Sequence, residues 1–233
     1  MRLLVVNPNT TSSMTEKIGA AARAVASPGT EIVAVNPASG PPSIEGYFDE
    51  VFAVPGLIGE MRNAGAVDGT VIACFDDTGL DAARSLSDAP VIGIGEAAFH
   101  LASLVAGKFS VVTTLGRSIP AIEHNLVRYG LRSRCARVRA AEVAVLDLEV
   151  PGSAARARIS REIDRAIEQD EAEAIVLGCA GMANLAAELS REHGLPVIDG
   201  VAAAVKLAES LFTLRLKTSK RGGYATPIPK SYA

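Results

Sequence analysis

The chain has 233 residues, of which 48% are hydrophobic and 21% are charged, so it can bury a full core as one large domain or two small ones. Its formal net charge of −3 and its pI near 5.7 provide no positive field to attract nucleic acid or an anionic membrane, and neither partner is expected. No charge-free apolar stretch reaches the roughly 18 to 20 residues of a membrane helix, and no signal-peptide pattern opens the chain, which predicts a cytoplasmic protein.

Short runs rich in Val, Ile and Leu alternate with longer Ala-rich segments of helical period, a pattern typical of parallel strands joined by helices. The chain is therefore predicted to have an α/β fold. Strands are expected near residues 2–6, 31–35, 70–74, 90–94, 109–113, 174–178 and 196–198. Helices are expected near residues 13–26, 48–64, 78–87, 96–106, 118–129, 153–169, 182–193 and 201–216. Ser13 followed by Glu16 fits a capping box at the start of the first helix.

The two halves of the chain repeat one another. A shift of 105 positions places Cys74 on Cys179 and Gly95 on Gly200, and each half has a strand ending in Cys, a helix, a Pro-Val-Ile strand and a helix beginning with Gly. We therefore predict two βα sub-domains related by a pseudo-twofold axis, each a mostly parallel sheet flanked by helices, with the active site in the cleft between them. The predicted first lobe comprises residues 1–94 and about 200–217, the second lobe residues 95–199, and the tail residues 218–233.

Cys74 and Cys179 carry the predicted chemistry. Ligands of open parallel sheets bind beyond the carboxyl ends of the strands, and each of these cysteines is placed at such an end, before a helix. Backbone N–H groups and the positive end of the following helix are expected to lower the pKa of each thiol. Two sulfurs that approach one site from opposite sides suit racemisation, in which one group removes a proton and the other delivers a proton to the opposite face.

A carbanion formed in this way needs stabilisation, and the chain carries no cofactor motif, so no cofactor is expected. The protein must then supply hydrogen bonds from polar turns and from the backbone N–H groups after the two cysteines. The candidate substrate-binding residues are Asn9, Thr11, Phe75, Asp76, Thr113, Thr114, Ala180 and Gly181. Two alternatives stay open for Asp76 and Asp77, which either cap the helix after Cys74 or raise the pKa of its thiol.

Three other features are weaker indications of function. Gly93-Ile-Gly95 resembles part of a dinucleotide fingerprint, but no acidic residue follows at the required spacing and Gly95 is explained by its repeat partner. The histidines have no metal-ligand spacing, so no metal site is expected. Cys135 lies among arginines at residues 132–139, a stretch interpreted as a solvated basic strand or loop.

Three segments of the chain resemble one known family. They are Val-Asn-Pro-Asn-Thr at residues 6–10, Cys-Phe-Asp-Asp-Thr-Gly-Leu-Asp-Ala-Ala-Arg at 74–84 and Gly-Cys-Ala-Gly-Met at 178–182. With them the chain resembles the Asp/Glu/hydantoin racemase superfamily, and within it the hydantoin and allantoin racemase branch. The resemblance implies a cofactor-free two-base reaction at C5 of a 5-substituted hydantoin, or at the equivalent carbon of allantoin, with Cys74 and Cys179 as the pair. It also implies a homo-oligomer with an even number of subunits.

The resemblance does not predict the ring substituent of the substrate, since the loop at residues 36–47 varies among relatives. Four residues of this loop are open to a role at the site, with a plain surface loop as the alternative: Pro41, Ser43, Ile44 and Tyr47. Three other functions stay open, namely a maleate-isomerase-like or decarboxylase-like enzyme, a non-catalytic small-molecule binding module and a dithiol redox protein. The paired thiols favour racemisation over the first two, and a redox pair needs its sulfurs within bonding distance.

Overall fold

The structure is a computed structural model that describes residues 1–150 and 152–230. It contains two four-stranded parallel sheets, each flanked by helices, which confirms the predicted α/β class. The last three residues of the predicted tail, 231–233, lie outside the described residues. Within the described part of the chain, no helix is long and apolar enough to span a bilayer.

The first sheet is built from β1 (Arg2–Val6), β2 (Glu31–Val35), β3 (Gly69–Ile72) and β4 (Val91–Gly93). The helices between these strands are α1 (Ser12–Val25), α2 (Tyr47–Asn63) and α3 (Leu80–Leu86). The strands lie in the order β2-β1-β3-β4, and every pair is parallel. The central strands β1 and β3 are almost entirely buried, which explains why their sequences are continuous apolar runs without alternation.

The second sheet is built from β5 (Phe109–Thr113), β6 (Cys135–Ala140), β7 (Ala174–Gly178) and β8 (Val197–Asp199). The remaining helices are α4 (Ile94–Val105), α5 (Ile119–Arg128), α6 (Ala155–Asp170), α7 (Ala186–His193) and α8 (Gly200–Thr213). Short 3₁₀ turns lie at Gly116–Ser118, Val145–Glu149, Ala180–Leu185 and Gly222–Tyr224. The strand order β6-β5-β7-β8 repeats that of the first sheet position by position, as the internal repeat in the sequence predicts.

Helices α4 and α8 hold the two lobes together. α4 packs against β7 of the second sheet, α8 packs against β3 and β4 of the first sheet, and the two helices pack against each other. One apolar core therefore runs through both lobes, and it includes Val5 and Val71 of the first sheet and Val111 and Val176 of the second. The predicted bounds of the two lobes agree with this exchange of helices but stay a prediction.

The arginine-rich stretch at 132–139 forms most of β6, an edge strand in which Cys135 and Arg139 are buried and Arg137 is exposed. Of the predicted solvated basic strand or loop, the strand is confirmed, whereas the solvation holds for Arg137 and is wrong for Cys135 and Arg139. Arg139 donates to the carboxylate of Asp170 at 2.6 Å, and the opposite charge compensates for the loss of hydration. Such a partner, 31 residues away in the chain, is not visible in the local sequence.

The predicted capping box at the start of α1 is also wrong. Thr11 is the N-cap residue, and no side chain forms a capping hydrogen bond to the helix. Instead, Asn9 Oδ1 accepts hydrogen bonds from the Thr11 N–H and from Asn7 Nδ2, each at 2.9 Å. This local network, which is typical of Asn-containing turns, bends the chain from β1 into α1.

A buried carboxylate ties the loop after β3 to the second lobe. The carboxylate of Asp77 accepts hydrogen bonds from two N–H groups in the first turn of α4, those of Gly95 at 2.9 Å and Glu96 at 2.8 Å. The hydroxyl of Tyr129, which follows α5, donates to the same carboxylate at 2.7 Å. The positive end of α4 favours a negative group at this position. Burial nevertheless outweighs these donors and raises the pKa of Asp77 to about 7.

The two glycines of Gly93-Ile-Gly95 leave room for this loop. A Cβ atom on Gly93 would lie 2.1 Å from Asp77 Oδ1, and a Cβ atom on Gly95 would lie 2.4 Å from the carbonyl oxygen of Phe75. Both distances are far below van der Waals contact, so no larger residue fits. The close approach of the loop therefore accounts for the glycine spacing that resembles a dinucleotide fingerprint.

Replacing Asp77 by Ala leaves two N–H groups of α4 and one buried hydroxyl without their acceptor. We expect the free energy of unfolding to fall by about 2 to 4 kcal/mol, the cost of an absent cap and of unsatisfied buried donors. Urea unfolding followed by circular dichroism measures this loss. The matched control is Asp88→Ala, whose side chain is 80% exposed and whose effect should stay within about 0.5 kcal/mol. An equally small effect of Asp77→Ala would contradict the prediction.

Candidate active site

The carboxyl ends of the central strands of both sheets meet at one cleft of about 410 Å³. Its lining includes Asn7 after β1, Ala73 after β3, Thr114 after β5 and Gly178 at the end of β7. These strands are central because each lies between two parallel neighbours, and parallel strands of an open sheet present their carboxyl ends on one side. The repeat thus brings two corresponding sheet edges to a shared space.

Cys74 and Cys179 both line this cleft, one from each lobe. Cys179 follows β7 directly, whereas Cys74 comes two residues after the end of β3. Both are free thiols and half-buried. The third cysteine, Cys135, is buried in β6 and does not line the cleft. The pair identified from the sequence is therefore the pair that shares the cavity.

The prediction that both thiols have a lowered pKa is wrong. Burial raises the pKa of Cys179 to about 12, and burial together with the negative charge of Asp76 raises the pKa of Cys74 well above its usual value. Neither cysteine lies at the start of an α-helix, since a loop separates Cys74 from α3 and a 3₁₀ turn follows Cys179. Without a helix N-terminus at the sulfur, the loss of hydration outweighs the few hydrogen bonds to it.

Asp76 lines the cleft beside Cys74 and does not cap α3. The N-cap residue of α3 is Gly79, and no side chain forms a capping hydrogen bond there. Of the two alternatives for Asp76, the structure therefore supports a raised pKa of the neighbouring thiol. Burial, followed by the nearby charges of Glu50 and Asp77, raises the pKa of Asp76 itself to about 8. The acid at this end of the cleft is thus largely protonated at neutral pH.

Five of the eight predicted binding residues line the cleft: Asn9, Phe75, Asp76, Thr114 and Ala180. The other three lie outside its lining. The hydroxyl of Thr11 donates to the carbonyl of Pro42 at 2.7 Å, and that of Thr113 donates to the carbonyl of Gly178 at 2.9 Å. The N–H of Gly181 donates to the sulfur of Cys179. These residues therefore support the walls of the site.

Sequence reasoning missed several residues of the lining, among them Met14, Ser118 and Val145. Ser118 lies just before α5, is 3% exposed and brings a hydroxyl group to the cleft. It is the last residue of the 3₁₀ turn Gly116–Ser118, and no motif in the sequence marks that turn. Asn7, which also lines the cleft, belongs to the polar segment Val-Asn-Pro-Asn-Thr at residues 6–10 that the sequence singles out.

Two segments from opposite lobes meet beside the cleft. Ile44, in the loop at residues 36–47, and Val145, in the 3₁₀ turn Val145–Glu149, both line it. The N–H of Val145 donates to Glu45 Oε1 at 2.9 Å, and Lys17 Nζ forms an ion pair with Glu149 Oε1 at 2.9 Å. These contacts hold the two lobes together beside the cavity.

Histidine, cysteine and acidic side chains of residues 1–150 and 152–230 form no group of three or more that could hold a metal ion. His124 Nδ1 shares a hydrogen bond with the Tyr47 hydroxyl at 3.1 Å, and His193 Nδ1 lies 3.0 Å from Asp164 Oδ1. The polar groups that line the cleft include two thiols, one carboxyl group, amides and hydroxyls.

Comparison with known proteins gives a consistent result. The model of the family described as Asp/Glu/Hydantoin racemase matches residues 3–208. A hydantoin racemase of Pseudomonas sp. (strain NS671) is 47% identical over 234 residues, which cover 100% of this chain and 94% of that protein. The solved structure of an allantoin racemase from Klebsiella pneumoniae has a TM-score of 0.97 and 52% identity, covering 100% of this chain and 96% of that one.

A second solved structure, an allantoin racemase from Pseudomonas fluorescens, has a TM-score of 0.97 and 46% identity, with 100% of both chains covered. The similarity therefore extends over the whole length and includes both lobes and the cleft. This chain belongs to the Asp/Glu/hydantoin racemase family and is an isomerase of the racemase type.

Proposed function

We propose that this racemase inverts C5 of 5-substituted hydantoins or of allantoin without a cofactor, and that Cys74 and Cys179 exchange the C5 proton. The observation that carries the proposal is that two free thiols, from corresponding positions of the two lobes, line one small cleft. Relatives named for hydantoin and for allantoin share the hydantoin ring as a substrate, so the proposal commits to that ring. A non-catalytic binding module finds no support among these relatives.

In the proposed reaction, one cysteine as thiolate removes the proton from C5 and becomes a thiol. The electron pair of the broken C–H bond moves into the adjacent carbonyl and forms an enolate. The other cysteine, as a thiol, then delivers its proton to the opposite face of C5 and becomes the thiolate. Each turnover therefore exchanges the protonation states of the two sulfurs, and the reverse reaction starts from the exchanged state.

The raised pKa values of both thiols suit a carbon acid of low acidity. When the pKa of a thiol is raised, its thiolate binds a proton more strongly. Proton transfer from C5 to this thiolate is therefore less unfavourable than transfer to an ordinary thiolate. The same shift makes the thiolate scarce at neutral pH, where most molecules have both sulfurs protonated. Activity should therefore depend on the few contacts that stabilise the thiolate form.

Hydrogen bonds from the cleft walls are proposed to hold the ring and the developing enolate. Asn9 offers its side-chain N–H groups, one of which contacts only the weakly accepting sulfur of Met14 at 3.3 Å. Thr114 and Ser118 offer hydroxyl groups from the second lobe. Such donors act strongly in a cavity with little water, because they do not need to reorganise as charge develops.

Replacing either cysteine of the pair tests the mechanism. In deuterium oxide, the unaltered protein should racemise an enantiopure 5-substituted hydantoin or allantoin and introduce solvent deuterium at C5. Cys74→Ser and Cys179→Ser should each lower kcat by about 10²- to 10⁴-fold, the usual contribution of an acid or base. Optical rotation and mass spectrometry measure both quantities. Cys135→Ala is the control that should retain activity, and an unchanged kcat for inversion at Cys74→Ser or Cys179→Ser would refute the two-base assignment.

Ser118→Ala tests the proposed ring contact. Loss of one hydrogen bond to the substrate should lower kcat/KM about tenfold for hydantoin and allantoin alike, since both contain the ring. The control is Ser210→Ala, whose exposed hydroxyl donates to the carbonyl of Lys206 on the outer side of α8. Unchanged kcat/KM at Ser118→Ala for both substrates would remove this residue from the binding site.

We also propose that the chain forms a homo-oligomer with an even number of subunits. The first turns of α2 expose Tyr47, Phe48, Val51 and Phe52, each more than half exposed, and an apolar surface of this kind is normally covered by another protein. Light scattering should give an even multiple of the 24.1 kDa chain mass. Phe48→Glu should lower that mass, and a monomeric unaltered protein would contradict the proposal.

The cytoplasmic location and the lack of a nucleic-acid partner stay predictions.

A further inference from the structure

We propose that Thr78 is a positioning residue for Cys74, whose sulfur it holds and stabilises in the thiolate form through a hydrogen bond that has no counterpart at Cys179. The inference rests on the proposed function, because it concerns how easily one member of the cysteine pair forms its thiolate. It goes beyond that function, since it makes the two thiols chemically unequal and names the side chain responsible.

The hydroxyl of Thr78 donates to Cys74 Sγ at 3.3 Å. Thr78 is only 2% exposed, so this hydroxyl does not exchange its partner for bulk water. It also has no role in capping α3, because Gly79 is the N-cap residue and no side chain forms a capping hydrogen bond. The Thr78 hydroxyl therefore has no capping role at α3, and its observed interaction is the hydrogen bond to the sulfur of Cys74.

The loop that carries Thr78 is held in place from both ends. The N–H of Asp77 donates to the carbonyl of Cys74 at 3.0 Å, and the N–H of Leu80 donates to the carbonyl of Asp77 at 3.1 Å. The Asp77 carboxylate is anchored to the first turn of α4. Asn125 Nδ2 adds a hydrogen bond to the Asp76 carbonyl at 2.8 Å. The distance between the Thr78 hydroxyl and the sulfur is thus set by a rigid frame.

The second lobe lacks this arrangement. The shift of 105 positions that relates the cysteines places Thr78 on Ala183 and Asp76 on Gly181, so neither the hydroxyl nor the carboxyl group is repeated. The sulfur of Cys179 receives a hydrogen bond from the Gly181 N–H. The hydroxyl donor therefore occurs at one thiol of the pair, whereas the negative charge of Asp76 raises the pKa of both thiols.

The two neighbours of Cys74 act in opposite directions. Burial and the negative charges of Asp76 and Glu50 raise the pKa of Cys74, whereas the hydrogen bonds from the Thr78 hydroxyl and the Asp76 N–H lower it. A donor to a thiolate favours the charged form because it replaces part of the lost hydration. Thr78 thus offsets the penalty that its own loop imposes, and Cys74 can still become a thiolate during each turnover.

The direct test measures the thiolate of Cys74 without requiring racemisation. In a Cys135→Ser, Cys179→Ser background, Cys74 is the one remaining thiol, and its alkylation rate by iodoacetamide between pH 7 and 10 is proportional to the thiolate fraction. Removal of the hydroxyl donor by Thr78→Val should shift this profile about one unit to higher pH, so that alkylation slows about tenfold at each pH below the midpoint. Thr78→Ser should restore the original profile.

A buried threonine elsewhere in the same lobe provides the matched control. Thr70 in β3 is 1% exposed, and its hydroxyl has no hydrogen-bond partner within the described residues. Thr70→Val should therefore leave the alkylation profile unchanged. Above about pH 8 Asp76 is ionised, so Asp76→Asn removes a negative charge and should shift the alkylation profile to lower pH. This shift is in the opposite direction to that expected for Thr78→Val.

Racemase activity gives a second measurement on the protein with all three cysteines. Because the two enantiomers are equally stable, Thr78→Val should lower kcat/KM about tenfold in both directions. An alkylation profile that does not move at Thr78→Val overturns the inference, even if the Cys74→Ser variant is inactive. A shifted profile combined with full activity of Cys74→Ser would instead support the contact and refute the proposed two-base function.

Discussion

The carboxylate of Asp77 is the constraint on which the site depends. A buried carboxylate needs donors, and these come from the first turn of α4 and from Tyr129, both on the side of the second lobe. With these hydrogen bonds, the loop after β3 lies so close to the start of α4 that only glycine fits at positions 93 and 95. Since this loop also carries Cys74, Asp76 and Thr78, one polar interaction joins the lobes and sets the geometry of the first thiol.

The internal repeat explains why two sulfurs reach one cavity, and its imperfections explain why they differ. Identical strand orders place the ends of β3 and β7 on the same cleft. After β3 the chain continues as an acidic loop, and after β7 it continues as a 3₁₀ turn of small and apolar residues. Burial and the negative charge of Asp76 raise the pKa of both thiols, whereas the threonine hydroxyl acts at Cys74 alone. A pseudo-symmetric frame thus presents an asymmetric acid/base pair to a substrate that is itself asymmetric.

Much of this architecture was predictable because its signals are local. Continuous apolar runs identify buried parallel strands, and Cys, Pro and Gly landmarks at one spacing identify the repeat. Errors arose where the outcome depends on contacts that the residue pattern does not show. Arg139 is buried because Asp170 lies opposite, and α1 begins without a capping box because the turn at Asn7 and Asn9 already bends the chain. The expected lowering of the thiol pKa failed for a related reason, since the depth of burial of a sulfur depends on both lobes and is absent from any local pattern.

The sequence by itself determined the α/β class, the repeat and the identity of the two cysteines. Buried strands show as apolar runs in the sequence, and the repeat shows as matching residues at a constant spacing. Only the tertiary structure decided which polar groups face the cavity. Ser118 and Asn7 line it, while the hydroxyls of Thr11 and Thr113 are taken up by backbone carbonyls. The direction of a side chain at a loop and its loss of hydration follow from packing between segments far apart in the chain, and that packing also decided that both thiols are weak acids.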